Sequence, residues 1–302
     1  MMREKLAQIL MIQTTKKMLK MLRRSALSVE AAEDVPGDAC TSRLGGIPLV
    51  PQDFVWPYYT GESDTNDTVK SRPLAFLAQF RCDELHAAAP GNPLPKSGIL
   101  AFFYEIESQR WGFSPTDAGC ARVYWFSDTK ELHAAQYPQD LPEEYRLPAY
   151  SVALSEKISY PDWEDLSALQ PRLDWDMYEE AIDKMGIEEE PYTKLLGWPN
   201  IVQNNMTDEC EWVTQGYYMG GSNPPEGLEN PPEAESPAQK AQQLMLIRRS
   251  VQNWRLLWQL ESETAEKLGL IFGDCGTLYF YIREEDLKEH RFENVWLILQ
   301  CG

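Results

Sequence analysis

Apolar and polar positions alternate with a period of two along residues 74–126 and 254–300, and take helical spacing only in 1–24, 174–186 and 238–250. Residues 74–81 (LAFLAQFR) predict a strand with Leu74, Phe76, Ala78 and Phe80 on one face. Ala75, Leu77, Gln79 and Arg81 fall on the other. Residues 98–106 (GILAFFYEI) predict a strand buried on at least part of both faces. Residues 121–126 (ARVYWF) and 254–261 (WRLLWQLE) predict two more. Leu6, Leu10, Ile12, Met18, Leu19, Met21 and Leu22 suit one amphipathic helix or two short ones, with Pro36 and Gly37 as breakers. Residues 174–186 predict a short helix stopped by Gly186, and 238–250 a further helix.

Between these elements the chain is punctuated. Residues 44–51 (LGGIPLVP) are rich in turn formers, 60–72 read as a polar loop, and 90–97 as a proline-rich turn. Pro138, Pro142, Pro148, Pro161 and Pro171 leave little room for long helices in 137–175. Residues 219–237 hold five prolines and three glycines and few large apolar residues, so they read as a flexible excursion.

The two halves of the chain match in order. Leu44-Gly45-Gly46-Ile47-Pro48 corresponds to Leu195-Leu196-Gly197-Trp198-Pro199, Phe76-Leu77-Ala78-Gln79-Phe80 to Leu256-Leu257-Trp258-Gln259-Leu260, and the segment from Gly98 to that from Gly276. This predicts two copies of one unit, about 44–126 and about 195–300, the second carrying the insert 219–237. The domain division is then a helical segment over 1–35 and one domain over 36–302.

At these residues the chain resembles the YwqG-like family, bacterial domains of unknown function. The resemblance rests on SRLGGIPLVP (42–51), VWP (55–57), PLAFLAQF (73–80), GILAFFY (98–104), WRLLWQLES (254–262), FGDCGTLYFYI (272–282) and VWLILQC (295–301). The chain departs from the family's pattern at Phe272 and Cys275. What the resemblance implies is an α+β fold with mixed β-sheets and no established activity. Helices are expected at the N-terminus and between the repeats.

Charge sharpens this picture. The 302 residues carry 28 basic and 47 acidic side chains, a net charge of −19. Nucleic-acid binding needs a basic footprint and is disfavoured. Residues 1–24 run the other way, with seven bases against one acid. They suit a membrane-surface or partner-binding helix, or one packed on the acidic body. No apolar run reaches membrane-span length, and Gln8, Gln13 and Lys16 interrupt the continuous centre a secretory signal needs. The six cysteines form no CxxC pair and read as reduced thiols of a cytosolic protein, with no metal or cofactor motif.

Candidate chemistry is sparse. The eleven acids against two bases in 162–190, Glu179, Glu180 and Glu188 to Glu190 among them, read as a solvated face rather than a catalytic pair. The loop Gly273-Asp274-Cys275-Gly276 precedes a strand, the wrong order for a phosphate cradle, and predicts a turn whose Asp274 caps backbone amides. No nucleophile elbow is present and no catalytic residue is assigned. Gln79 and Gln259 occupy matched mid-strand positions and predict either structural hydrogen bonds or a pair facing one cleft between the repeats. Two readings of function follow. One is a non-catalytic cytosolic binding protein shielding a basic protein partner, in the manner of an immunity protein. The other is an enzyme or small-ligand binder whose cleft uses Trp56, Gln79, Trp254, Gln259 and Asp274.

Overall fold

A computed structural model describes residues 2–32, 41–62, 68–187 and 192–302, with side chains from residue 8 onward. Helix α1 (Met2–Leu22) leads into strand β1 (Arg24–Ala31). There follow β2 (Arg43–Leu44), β3 (Leu49–Val50), β4 (Tyr58–Glu62), β5 (Val69–Pro73) and β6 (Ala75–Arg81). Helix α2 (Cys82–Ala88), β7 (Ile99–Tyr104), β8 (Ala121–Phe126) and β9 (His133–Ala134) come next. Strand β10 (Tyr150–Ser159) precedes α3 (Trp163–Leu169), α4 (Trp175–Met185), β11 (Lys194–Leu196), α5 (Thr207–Thr214) and α6 (Pro237–Asn253). The order ends with β12 (Trp254–Leu260), α7 (Ser262–Lys267), β13 (Thr277–Arg283), α8 (Glu284–Lys288) and β14 (Trp296–Gln300).

Ten strands form one sheet in the order β14-β13-β12-β11-β1-β10-β2-β6-β7-β8, flanked by the two-stranded ribbons β3-β9 and β4-β5. Every pairing in it is antiparallel, where the family resemblance implied mixed sheets. The sheet curls until its halves face each other. Phe102 of β7 packs on Trp258 of β12, with ring centroids 4.8 Å apart, and edge-on to Phe280 of β13. Trp125 on the end strand β8 meets His290 and Phe292 just before the other end strand, so the sheet is nearly closed. The result is a mixed α/β fold with eight α-helices among the described residues.

Strands 74–81, 98–106, 121–126 and 254–261 and helices 174–186 and 238–250 form close to their expected places. Asp174 caps the start of α4 and the left-handed Gly186 ends it. Ser236 and Gln239 build a capping box at the start of α6.

Three expectations are corrected. The stretch 24–31, read as part of a helical segment to residue 35, is the central strand β1 between β10 and β11. Its small residues Ala26 and Ser28 and apolar Leu27 and Val29 are all buried, so no half-buried alternation advertised it. The loop 60–72 contains the paired strands β4 and β5. The proline-rich 137–175 holds the ten-residue β10, whose side chains are nearly all exposed or half-exposed, and among its described residues only the seven-residue α3 as an α-helix, in line with the little room expected for long helices. In β6 a bulge sets Phe76 and Ala78 opposite successive residues Phe103 and Phe102. These two residues therefore point to opposite faces instead of sharing one. Pro36, Gly37 and Glu188 to Glu190 lie outside the described residues.

Helix α1 packs across α3 and α4. Ile12 and Leu19 are buried with Leu166, Met177 and Ala181, while the Lys16 ammonium donates to the Lys184 carbonyl. Among the described residues no helix is long and apolar enough to cross a membrane.

Candidate functional site

The five residues assigned to a cleft do not come together. Trp56 is buried in the large core, its Nε1 donating to the Leu74 carbonyl at 2.9 Å. Trp254 lies in a separate cluster under α5, its indole donating to Glu211. Gln79 pairs in the ladder with Ala101, and Gln259 with Tyr279, each on the outer face of its own half-sheet. Both amides are fully buried and bonded. Gln79 donates to the Thr41 carbonyl and accepts from Leu49 N–H. Gln259 donates to the Tyr192 carbonyl and accepts from Asn200 N–H. They are consumed by structural bonds. Asp274 sits apart on an exposed turn. There Gly273 and Cys275 have positive φ, and the Asp274 backbone carbonyl, not its carboxylate, accepts from Gly302 N–H.

A cleft of about 410 Å³ lies elsewhere, at the junction where β11 ends between β1 and β12. Its walls come from both halves of the chain: the Pro90–Pro93 turn after α2 on one side, β12 and α8 on the other, with Arg24 and Ser25 of β1 between them. The volume suits a small molecule.

Local geometry explains the opening. Strand β11 is only three residues long and stops in two successive left-handed residues, Leu196 (φ +62°) and Gly197 (φ +79°). A Cβ on Gly197 would stand 2.7 Å from that of Ala26, so only glycine lets the chain turn there. The turn brings Trp198 beneath β1. Its backbone N–H donates to Ser159 Oγ at 2.9 Å, and its indole donates to the Leu22 carbonyl at 2.7 Å, tying α1 to this corner. Arg24, the first residue of β1, then lies flat on the indole, its guanidinium carbon 3.4 Å from the ring centroid.

Charges crowd this cleft. Arg255 and Lys288 both bond to Glu284, holding that carboxyl below its usual range, Lys288 most strongly. Glu156 accepts from Ser25 Oγ at 2.6 Å. Arg24 forms no ion pair among the described residues; burial, and then the nearby charge of Arg255, bring its pKa down to about 9. Among the described residues the lining holds no histidine or cysteine.

Behind Arg24 lies a set of buried acids. Burial pushes Asp165 up to about 7, Asp208 to about 6 and Glu209 to about 8. One oxygen of each, and the Tyr281 hydroxyl, has no hydrogen-bond partner among the described residues. Among the described residues no cluster of histidine, cysteine and carboxylate side chains could hold a metal ion.

With this geometry in view, comparison with known families gives one decisive match: the profile of DUF1963, a domain of unknown function, covers residues 42–301. The chain belongs to the DUF1963 family. The match takes in β2 through β14 and leaves out α1 and β1, so within this DUF1963 protein Arg24 is contributed from outside the matched span. No curated protein matches the chain.

The cleft carries no motif in the sequence: Arg24 is one of seven bases in 1–24, Gly197 and Trp198 stand in the segment that aligns the halves, and Arg255 is one residue of a strand pattern. The available signal was the Gly-Trp-Pro turn itself, because an indole beside an obligatory glycine stands where a chain changes direction.

Proposed function

We propose that the protein is a binding protein whose ligand is a small molecule held in the junction cleft. The observation that carries this reading is the cleft's position. It is concave, of small-molecule size, and draws its walls from both halves of the chain. Melting-temperature shifts against a metabolite library test it, with Ser25→Trp as the blocked control, since Ser25 is an exposed residue of the rim. A ligand should raise the melting temperature of the wild type and leave that of the blocked variant unchanged. Equal shifts in both would refute the cleft.

We also read the halves as two copies of one unit and the chain as YwqG-like. Support comes from local correspondences. Bulges fall between Phe76 and Ala78 and between Leu256 and Trp258, and paired left-handed residues occur at Gly45-Gly46 and Leu196-Gly197. The five described cysteines are all free, which supports a reducing, cytosolic setting.

A second reading, a basic protein partner, has its own observation. Trp175 is 46 % exposed on α4, between Asp174 and Asp176 and on the helix that also carries Glu179, Glu180 and Asp183. An aromatic anchor ringed by carboxylates suits a cationic protein surface. Pull-down from lysate at low and high salt tests this, and Trp175→Ala should abolish any basic protein retained.

A further inference from the structure

Resting on the reading that the junction cleft takes a ligand, we infer that this ligand is a small organic acid. Its carboxylate or phosphate lies on the Arg24 guanidinium and its apolar body against Leu196, Leu256 and Leu287. Three observations converge on it.

The first is what Arg24 lacks. Trp198 covers one face of its guanidinium at 3.4 Å, which leaves the in-plane N–H donors for another partner. No carboxylate or carbonyl among the described residues accepts from them. Asp165 and Tyr281 act on Arg24 only through space. Arg110 and Arg122 are also half-buried without a carboxylate, but each donates to a backbone carbonyl, which among the described residues the Arg24 side chain does not.

The second is the state of the neighbouring charges. Glu284 is bonded to Arg255 and Lys288, and Glu156 accepts from Ser25, so neither carboxylate bonds to Arg24, and Glu284 reaches it only through space. The lining therefore holds three cations against two carboxylates, and one positive charge is left over. Burial lowers the pKa of Arg24, yet at about 9 it stays charged at neutral pH. A desolvated charge of this kind is costly until an opposite charge joins it. A carboxylate or phosphate meets the flat donor edge of a guanidinium with two parallel bonds.

The third is the character of the remaining wall. Leu196, Leu256, Leu287, Pro90 and Pro93 offer apolar surface beside the charged group, so a bare inorganic ion would leave most of the cleft unused. An acid group on a compact apolar body fits both parts.

Calorimetric titration of the full chain at low ionic strength, with phenyl phosphate, benzoate, benzyl alcohol and benzylamine as probes, tests the inference. At least one of the two acids should bind roughly tenfold or more tighter than the alcohol, as one charge-assisted pair supplies. Comparing the two acids tells a phosphate site from a carboxylate site. Arg24→Met, which keeps the stem over Trp198, should lose that advantage and leave the alcohol unchanged; Arg24→Lys should retain part of it. Circular dichroism checks that the variants fold, and the lysine variant carries the comparison if the methionine variant does not. If alcohol or amine binds as well as both acids, or Arg24→Met binds them undiminished, the acid specificity falls while the cleft stands. If none of the four binds, the cleft reading falls and the inference with it.

Discussion

Gln79 and Gln259 make the same pair of backbone bonds in the two halves of the sheet. Gln79 lies opposite Arg43, donates to the carbonyl of Thr41, and accepts from the amide of Leu49. Gln259 lies opposite Lys194, donates to the carbonyl of Tyr192, and accepts from the amide of Asn200. In each case the acceptor precedes the strand partner by two residues and the donor follows it by six. Each glutamine thus clips down the segment that turns away from the neighbouring short strand.

Replacing either glutamine by leucine should therefore destabilise the protein. Each change takes a donor from a partly buried carbonyl and removes the acceptor of a buried amide, at a cost of about 1–3 kcal/mol for the amide. Gln259→Leu also removes a bond to Asn200 Oδ1, to which Gln259 donates at 3.0 Å. Urea unfolding of the two variants measures both effects, and an unchanged midpoint for either would refute the clip.

Gly197→Ala should be worse than an ordinary glycine substitution. Its φ of +79° is disfavoured for any residue with a Cβ, and the added methyl would meet Ala26 and Ser159 at 2.7 and 3.0 Å. A loss of about 1–3 kcal/mol is expected from strain and displacement together. Gly91→Ala, also at positive φ but with nothing within 4 Å, should cost less. Thermal unfolding of the pair decides the order.

Stability should fall as pH rises from about 4 to about 8. Burial raises Asp208, Asp165 and Glu209 to about 6, 7 and 8, whereas unfolded carboxyls titrate near about 4. Between those limits the folded chain binds more protons than the unfolded one, so the slope of unfolding free energy with pH is negative. The contribution is fully present below the unfolded values and is lost as pH passes through the folded ones. Glu209→Gln removes one such group and a repulsion with Asp208, and should flatten the decline. Urea titrations of both proteins at pH 5, 7 and 9 measure this. Curves that run parallel would exclude Glu209 as a source.

Limited proteolysis should cut within 220–236 and leave the fragments associated. This segment is largely exposed and is held chiefly by Met219 N–H to the Phe113 carbonyl, Tyr218 N–H to the Glu229 carbonyl, and Asn230 to the carbonyls of Tyr218 and Gly221. The halves on either side share one sheet and one core. Co-elution of the nicked fragments on size exclusion is the expected result, and their separation would contradict it.

Much of the strand and helix order is legible in the residues. Short apolar stretches at 98–106 and 254–261 are too β-rich and too tightly bounded to be anything but strands, and Gly186 and Ser236 mark helix ends through local capping chemistry. The matched glutamines are equally visible, since a polar side chain in the middle of an apolar strand must find partners. Local sequence could not say which partners, because Thr41 and Tyr192 lie 38 and 67 residues from the glutamines they hold. Strand β1 has no half-buried alternation because residues on both its faces are buried, and its pairing strands β10 and β11 come from more than a hundred residues away. The junction cleft is a consequence of that same long-range pairing. It exists because β11 is shorter than the strands on either side, a mismatch that appears only once the three are side by side. Arg24 is an ordinary base of the N-terminal stretch until folding lays it on Trp198 and removes it from water. Its chemistry depends on solvent exclusion, which no stretch of sequence specifies alone.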